Sequence, residues 1–528
     1  MKKILSIILG ITLLASFSFA AVDWQRFEFF ENSGGLNDQF SPILIEDNEA
    51  SNLQNVVFTK AKHWKTRDGF KALNTDIIGS DITCTGGIYY RTIKGVKHLV
   101  AIFSDGTIRK MDYNANGPDG TWDDITGSII FLVTQNDLAS FAIGEDTLII
   151  EDGVTGTAPY KWTGSGNATD LGGSPPNASI VTYHKRHAFF AGDRDNPSIL
   201  YFTDLGDIEN STTGLSGNVE IETNDGTIIT ALAPGFDALY IWKGGSAGRG
   251  SIWRLSGDDK DTFKLQRMVS DVGTLSPRSV ALIGNSFFFI DSQGDTYIYD
   301  GAIGLRLIST KIEGTRDNLN FDRFPYISTV AFDKDYYISV SDTSAAFNNM
   351  ILVFDTFPLA WTKFSGFHAN ALWVADNGSG QDMLVWGGYK GVVFKYPSGT
   401  NDDDVAIDMF YHTKKYSFPE LRNPESKANK AWRALRVFCK QKGNNDLIIE
   451  PRVDFGSSGT SSDMNLKGTK SLFGTAKYGT AIYGGKNIII ERFEPDLEGD
   501  YFQILYSNNT KDEPIENFGW QISIETVD

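Results

Sequence analysis

A chain of 528 residues is longer than one compact core can hold, so length asks for two or three domains or one large repeat architecture. Glycine at 53 residues, aromatics at 13% and charged residues at only 22% suit a β-rich chain with many tight turns, and exclude long coiled coils, collagen and wholesale disorder. The formal net charge of −18 excludes a groove-wide basic footprint, and the two cysteines, Cys84 and Cys439, supply neither a disulfide framework nor a CxxC metal knuckle.

Lys2 and Lys3 form a basic start, Ile4 to Leu14 is apolar, and Ser18-Phe19-Ala20 supplies small residues. These are the three parts of a secretory signal peptide, and cleavage is expected after Ala20. No other window approaches about 20 uninterrupted apolar residues, so no stable membrane insertion is expected once residues 1–20 are gone. The competing reading is an uncleaved hydrophobic N-terminus that docks in an assembly.

From about residue 80 the chain repeats. Strand-like runs start at Gly86, Ser140, Ser179, Ile228, Arg278, Tyr326 and Asn370, a beat of about 47 residues. The clearest unit runs Val280-Ala281-Leu282-Ile283, Phe287-Phe288-Phe289-Ile290 and Thr296-Tyr297-Ile298-Tyr299, with Gly284-Asn285, Ser292-Gln293-Gly294-Asp295 and Asp300-Gly301 as separators. Glycine, asparagine and aspartate supply positive φ or side-chain-to-backbone bonds at turns. Four short antiparallel strands per unit, repeated radially, make a β-propeller blade. About seven blades are expected over 80–400, with closure by an N-terminal strand left open. Residues 21–79 read as an N-terminal extension docking on this ring. A series of sandwiches explains each strand equally well but not the beat.

The acidic run Asn401-Asp402-Asp403-Asp404 reads as a linker, 401–404. Beyond it the period stops, and the alternating runs of 405–528 suggest a C-terminal β-sandwich, with a Gly/Ser/Thr-rich surface loop between Gly456 and Gly485. The fold expected is all-β: a propeller with an appended sandwich.

Catalytic candidates are sparse. His184 and His187, read as lying on one strand, point to opposite faces, which is wrong for a shared metal. No HExxH, GxSxG, GxxxxGK[ST] or strand-following GxGxxG occurs, so no catalytic residue and no enzyme is expected. The sharpest local motif runs from Asp112 to Asp123. Asp112, Asn114 and Asn116 at loop positions 1, 3 and 5, glycine at 6 and Asp123 at 12 match a calcium-binding loop, in which alternate oxygens turn onto a hard cation. The same residues also suit a wide hairpin loop, and Asp123 is shorter than the glutamate such loops carry. Trp253 and Trp386 sit in strand-like runs and read as packing between blades rather than as sugar-stacking platforms.

The segment Gly34-Gly35-Leu36-Asn37, Asn48-Glu49-Ala50-Ser51-Asn52-Leu53-Gln54-Asn55-Val56 and Arg67-Asp68-Gly69-Phe70 resembles the N-terminal signature of bacteriophage virion propeller proteins of the tail hub, nozzle or packaged-DNA stabilisation type. That signature is a Gly-Gly-Leu-Asn element, an "EA…LQNV" turn of helix and an "RxGF" strand. Phe202-Thr203-Asp204-Leu205-Gly206-Asp207 and Ser251-Ile252-Trp253-Arg254-Leu255-Ser256-Gly257-Asp258 look like the group's blade loops. The resemblance covers residues 34 to 400 and implies a non-enzymatic virion component of the tail or neck, partnered by other virion proteins and by copies of itself, with no catalytic residues carried over and no specific nucleic-acid readout. The departure is the export signal, which virion parts assembled in the cytoplasm do not need. The alternatives are a secreted or periplasmic propeller that binds a glycan or protein at the cell surface and, below it, an exported glycan-active enzyme.

Overall fold

The strand Lys97–Phe103 shows how this sequence makes a blade. Leu99, Ala101 and Phe103 pack against Trp373 and Val385 on one side; Val100 and Ile102 pack against Leu148, Ile150 and Trp162 on the other. Period-two alternation thus buries both faces of the sheet, one against each neighbour. Each such side chain contributes about 1.5–3 kcal/mol by leaving water. The computed structural model describes residues 24–526 apart from 130–132, 246–247, 303, 419–429, 442–444 and 467–487. The expected signal segment, 1–20, and the 467–485 part of the Gly/Ser/Thr-rich stretch lie outside the described residues.

The seven inner strands are Cys84–Arg91, Ser140–Gly144, Ile180–His184, Ile228–Gly235, Val280–Ile283, Ser328–Phe332 and Ala371–Asp376, each starting within two residues of its expected position. They open blades 1 to 7 of a β-propeller, and the blades are antiparallel sheets of four strands, five in blade 1. Ring closure falls to the N-terminal segment: Lys71–Ala72 pairs with Val393–Tyr396 as the outer strand of blade 7. In four blades the first turn is Glu145-Asp146, Lys185-Arg186, Phe236-Asp237 or Asp333-Lys334, with φ positive at both residues. These turns have the twist a two-residue hairpin needs, without the Asn-Gly signature that would have announced it.

Two seven-stranded sheets form the sandwich. The first joins Val56–Phe58, Trp64–Thr66, Glu516–Thr526, Lys430–Lys440 and Ile488–Phe493, with Gln25–Phe29 and Leu497–Gly499 at its sides; the second joins Gly35–Leu36, Glu49–Gln54, Met409–Thr413, Phe502–Asn508 and Asp446–Val453, with Ser457–Ser458 and Ser462–Asn465. Trp64, Trp432, Trp520, Tyr411 and Tyr506 fill the space between them, in one core with Phe288, Tyr336 and Trp361 of blades 5 and 6.

Three expectations change here. The expected extension 21–79 is not a piece docked on the ring: its described residues, 24–79, give strands to both sandwich sheets before closing blade 7. The "EA…LQNV" segment is a strand, because Ala50 and Leu53 face the core while the segment pairs with Met409–Thr413. The acidic run 401–404 is a latch rather than a linker. Arg67, fully buried, donates to both oxygens of Asp402 at 2.7 and 2.5 Å, and Asp403 accepts from the Ala72 N–H. A Cβ on Gly69 would lie 2.0 Å from the Asn401 carbonyl oxygen, so only glycine lets the two segments meet.

Candidate functional site

The expected calcium residues are placed on a hairpin. Thr107–Asn114 is the third strand of blade 1 and turns back at once through Gly117–Pro118. Asn114 Oδ1 accepts from the Asn116 N–H of its own turn at 2.7 Å. Asp112 accepts from His98 Nδ1 at 2.6 Å and from the Lys110 ammonium, and Asp123 accepts from the same ammonium at 3.1 Å. Burial works against the ionised Asp112, yet the bonds from Lys110 and His98 hold its carboxyl below the ordinary range. Lys110 thus supplies a positive charge between Asp112 and Asp123, while Asn114 spends its oxygen on its own turn.

His184 and His187 are also placed differently from expectation. They face each other across the Lys185-Arg186 turn as a directly opposed pair, so they share a side of the sheet. His187 is buried, with Nδ1 2.6 Å from the Thr203 carbonyl oxygen and Nε2 3.2 Å from that of Asp258, which occupies both ring nitrogens. No cluster of three potential metal ligands occurs among the described residues. Trp253 and Trp386 are buried at blade seams.

The most chemically distinctive place lies at the channel mouth, on the face where the inner strands begin. Arg278, in the loop leading into blade 5, donates from Nη2 to the Thr85 carbonyl of blade 1 at 2.7 Å, while its own carbonyl accepts from the Thr329 N–H of blade 6. Blades 5 and 1 are not neighbours, so this guanidinium spans the channel. Burial pulls Arg278 down to about 10. Arg323 lies on the short helical turn Phe321–Tyr326, stacks over Tyr326 at 4.4 Å and donates to Asn136 Oδ1 at 3.0 Å in the loop leading into blade 2. Tyr389 of blade 7 accepts from the Asn348 N–H at 3.1 Å; burial raises its hydroxyl, and that bond, the charge and side-chain hydrogen bond of Arg323 and the charge of Arg278 partly offset the rise.

From this mouth a groove of about 410 Å³ runs outward over blades 2 to 4. Leu138, Ile180, Ile228, Leu275, Pro277 and Pro325 give it apolar walls, with Asn136 at the inner end and Asp193 and Arg194 along it. Sequence reasoning missed this site because its members come from different blades all round the ring. Arg278 was legible only as the start of a strand, and nothing near Arg323 or Tyr389 marks them.

Two further cavities are acidic. One of about 820 Å³ beside the sandwich is lined by Glu28, Glu31, Glu46, Asp47 and Glu49; buried Glu49 is already paired with Lys311 at 2.7 Å. Another of about 240 Å³, between blade 6 and the first sandwich sheet, holds Asp68, Asp333, Asp335 and Asp355. Burial, then the Asp355 charge, pushes Asp335 up to about 7.

No protein family and no curated protein matches this chain. Among solved structures, it is similar to BBS1N in complex with ARL6DN, at 11% identity over 64% of this chain and 99% of that one, TM-score 0.40. It is similar to YCF48 bound to D1 peptide, at 11% identity over 62% and 98%, TM-score 0.39. It is also similar to an exo-beta-1,3-galactanase from Phanerochaete chrysosporium with galactose, at 9% identity over 87% and 100%, TM-score 0.28.

Proposed function

We propose that this protein is a non-enzymatic structural component of a bacteriophage tail or neck, a hub- or nozzle-like subunit that works through contacts with other virion proteins and with copies of itself. The observation that carries the reading is the way the chain ties its two parts together. It builds both sandwich sheets, closes blade 7, runs round the ring and returns to the same sheets, with the Arg67–Asp402 pair at the crossing. A propeller and sandwich joined by chain crossings and a common core transmit load as one body, which suits a scaffold. Any DNA path lies between protomers, not through the propeller, because Arg278 reaches across its channel.

Two measurements test this together. Mass spectrometry of purified virions should find the chain at a fixed stoichiometry, and electron microscopy of the purified protein should show a closed ring of copies. A strict monomer missing from virions refutes the proposal. The exported, surface-binding propeller is the second reading, favoured by the groove over blades 2 to 4. A mature chain beginning at Ala21 in the periplasm or medium would establish it instead.

A further inference from the structure

Arg194 lines the groove; Arg278 and Arg323 lie just beyond its inner end, Arg278 next to the lining residue Pro277 and Arg323 bonded to the lining residue Asn136, and among the described residues none of the three forms an ion pair. Arg67, Arg109, Arg267, Arg316 and Arg433, by contrast, have carboxylate partners. The donors are only partly used. Nε of Arg278 is buried without an acceptor among the described residues, and Arg323 keeps donors beyond those that reach Asn136 and the Tyr389 hydroxyl. Both side chains nonetheless keep some exposed surface, so they stand at the bottom of an open funnel rather than inside a sealed core. Nearby acids are committed elsewhere: Asp137 caps its own turn through the Thr134 N–H and hydroxyl, and Asp193 is held by Asn196 and Tyr201. A buried guanidinium without a counter-charge is costly, and its planar fork matches a carboxylate.

We propose that the groove is a recognition site for a carboxylate carried on an apolar peptide segment of a partner protein. The carboxylate sits between Arg323 and Arg278, and the apolar side chains lie along Leu138, Ile180, Ile228, Leu275, Pro277 and Pro325. A carboxylate fits better than a phosphate because the walls next to the arginines are apolar and would strip the heavier hydration of a phosphate without replacing it. The volume is that of a small-ligand pocket, enough for a few side chains. The site belongs to the single chain and does not depend on where the protein works, so it can fail while the virion reading stands, and the reverse.

The test is fluorescence polarisation of the purified full chain with a labelled apolar pentapeptide ending in Glu with a free terminus, beside the same peptide ending in Gln-amide. The acidic peptide is expected to bind about tenfold or more tightly than the amide, as loss of a charge-assisted fork implies. Octanoate should displace it, and octyl phosphate and inorganic phosphate should do so less well. In Arg323→Gln the preference for the acid should vanish while the melting curve stays that of the wild type. Should that variant not fold, Arg323→Lys keeps the charge and loses the fork, and the preference should fall part way. Equal binding of the two peptides, an unchanged preference in the folded variant, stronger displacement by either phosphate, or no binding of any probe up to about 1 mM would each overturn the proposal.

Discussion

Asp402→Asn is the sharpest test of how the ring is closed. Arg67 uses all five of its N–H donors: Nε to Asn55 Oδ1 at 2.8 Å, Nη1 to the Asp68 carbonyl at 2.9 Å and to Asp402, Nη2 to the Ser365 carbonyl at 3.1 Å and to Asp402. Its guanidinium also lies over Phe367 at 4.7 Å, and the side chain is fully out of water. Removing the Asp402 charge strands that cation, which costs about 3–5 kcal/mol. Arg67→Lys leaves three donors for five acceptors, a loss of about 1–3 kcal/mol for each buried group left unpaired. The double replacement Arg67→Met, Asp402→Leu should recover much of the loss, since it strands no charge. Urea unfolding followed by tryptophan fluorescence measures the midpoints, and hydrogen exchange at Val393–Tyr396 reads the seam itself. A shift below about 0.5 kcal/mol in Asp402→Asn, or a double variant as costly as the two singles summed, would refute the latch.

Other expectations rest on single environments. Asp335 is raised from its ordinary value to about 7, so its contribution to stability is complete below about pH 4 and is lost as pH rises through 7. Asp335→Asn, which still accepts from the Thr356 N–H, should therefore melt above the wild type at pH 8, by about 1–3 kcal/mol after allowing for solvent screening, and level with it at pH 4; coincident curves at both would defeat the argument. Lys243 is buried and bonded to the Ile221 and Glu222 carbonyls and to Asp225, so Lys243→Met should cost about 3 kcal/mol in thermal denaturation, and a neutral result would show that the pin between blades 3 and 4 is dispensable. Chelation with EGTA should leave the melting temperature unmoved, because Lys110 already neutralises Asp112 and Asp123; a calcium-dependent rise of several degrees would restore the metal loop.

The ring was legible because each blade repeats one physical pattern: an alternating strand buried on both faces, then a turn. That is why the inner strands at Ser140, Ile180 and Ile228 fall where periodicity put them. Its closure was not legible, since Lys71–Ala72 has two residues and no pattern of its own, and its partner Val393–Tyr396 lies more than 300 residues away. The Asp402 run looked like a solvated linker for the same reason. Composition shows the charges but not that Arg67 is waiting for one of them inside the core. The calcium motif is a case of the opposite kind. Asp112, Asn114 and Asn116 have the right local spacing, but Asp112 and Asn114 lie in a strand, paired with His98 and Gly117, and Asn116 lies in the turn between. The channel-mouth arginines carry no local signal at all.

The overall charge and the groove make opposite demands on an anion, and the distance scale separates them. At physiological salt a field is screened over about 8 Å, so the acidic exterior acts on whatever lies near the surface as a whole, whereas a group inside the funnel meets chiefly the charges beside it. A nucleic acid brings one phosphate every few ångströms along its length and is repelled at each. A peptide brings one carboxylate past the same surface and leaves it between Arg278 and Arg323. The long-range part of its approach is therefore unfavourable, and salt should relieve it. Stopped-flow association of the pentapeptide ending in Glu is expected to quicken from about 20 to about 150 mM salt, the reverse of the steering that oppositely charged partners show. A rate that instead falls steeply over this range would mean that the approach is governed by a basic field extending beyond the funnel, and the separation of the two scales would be wrong.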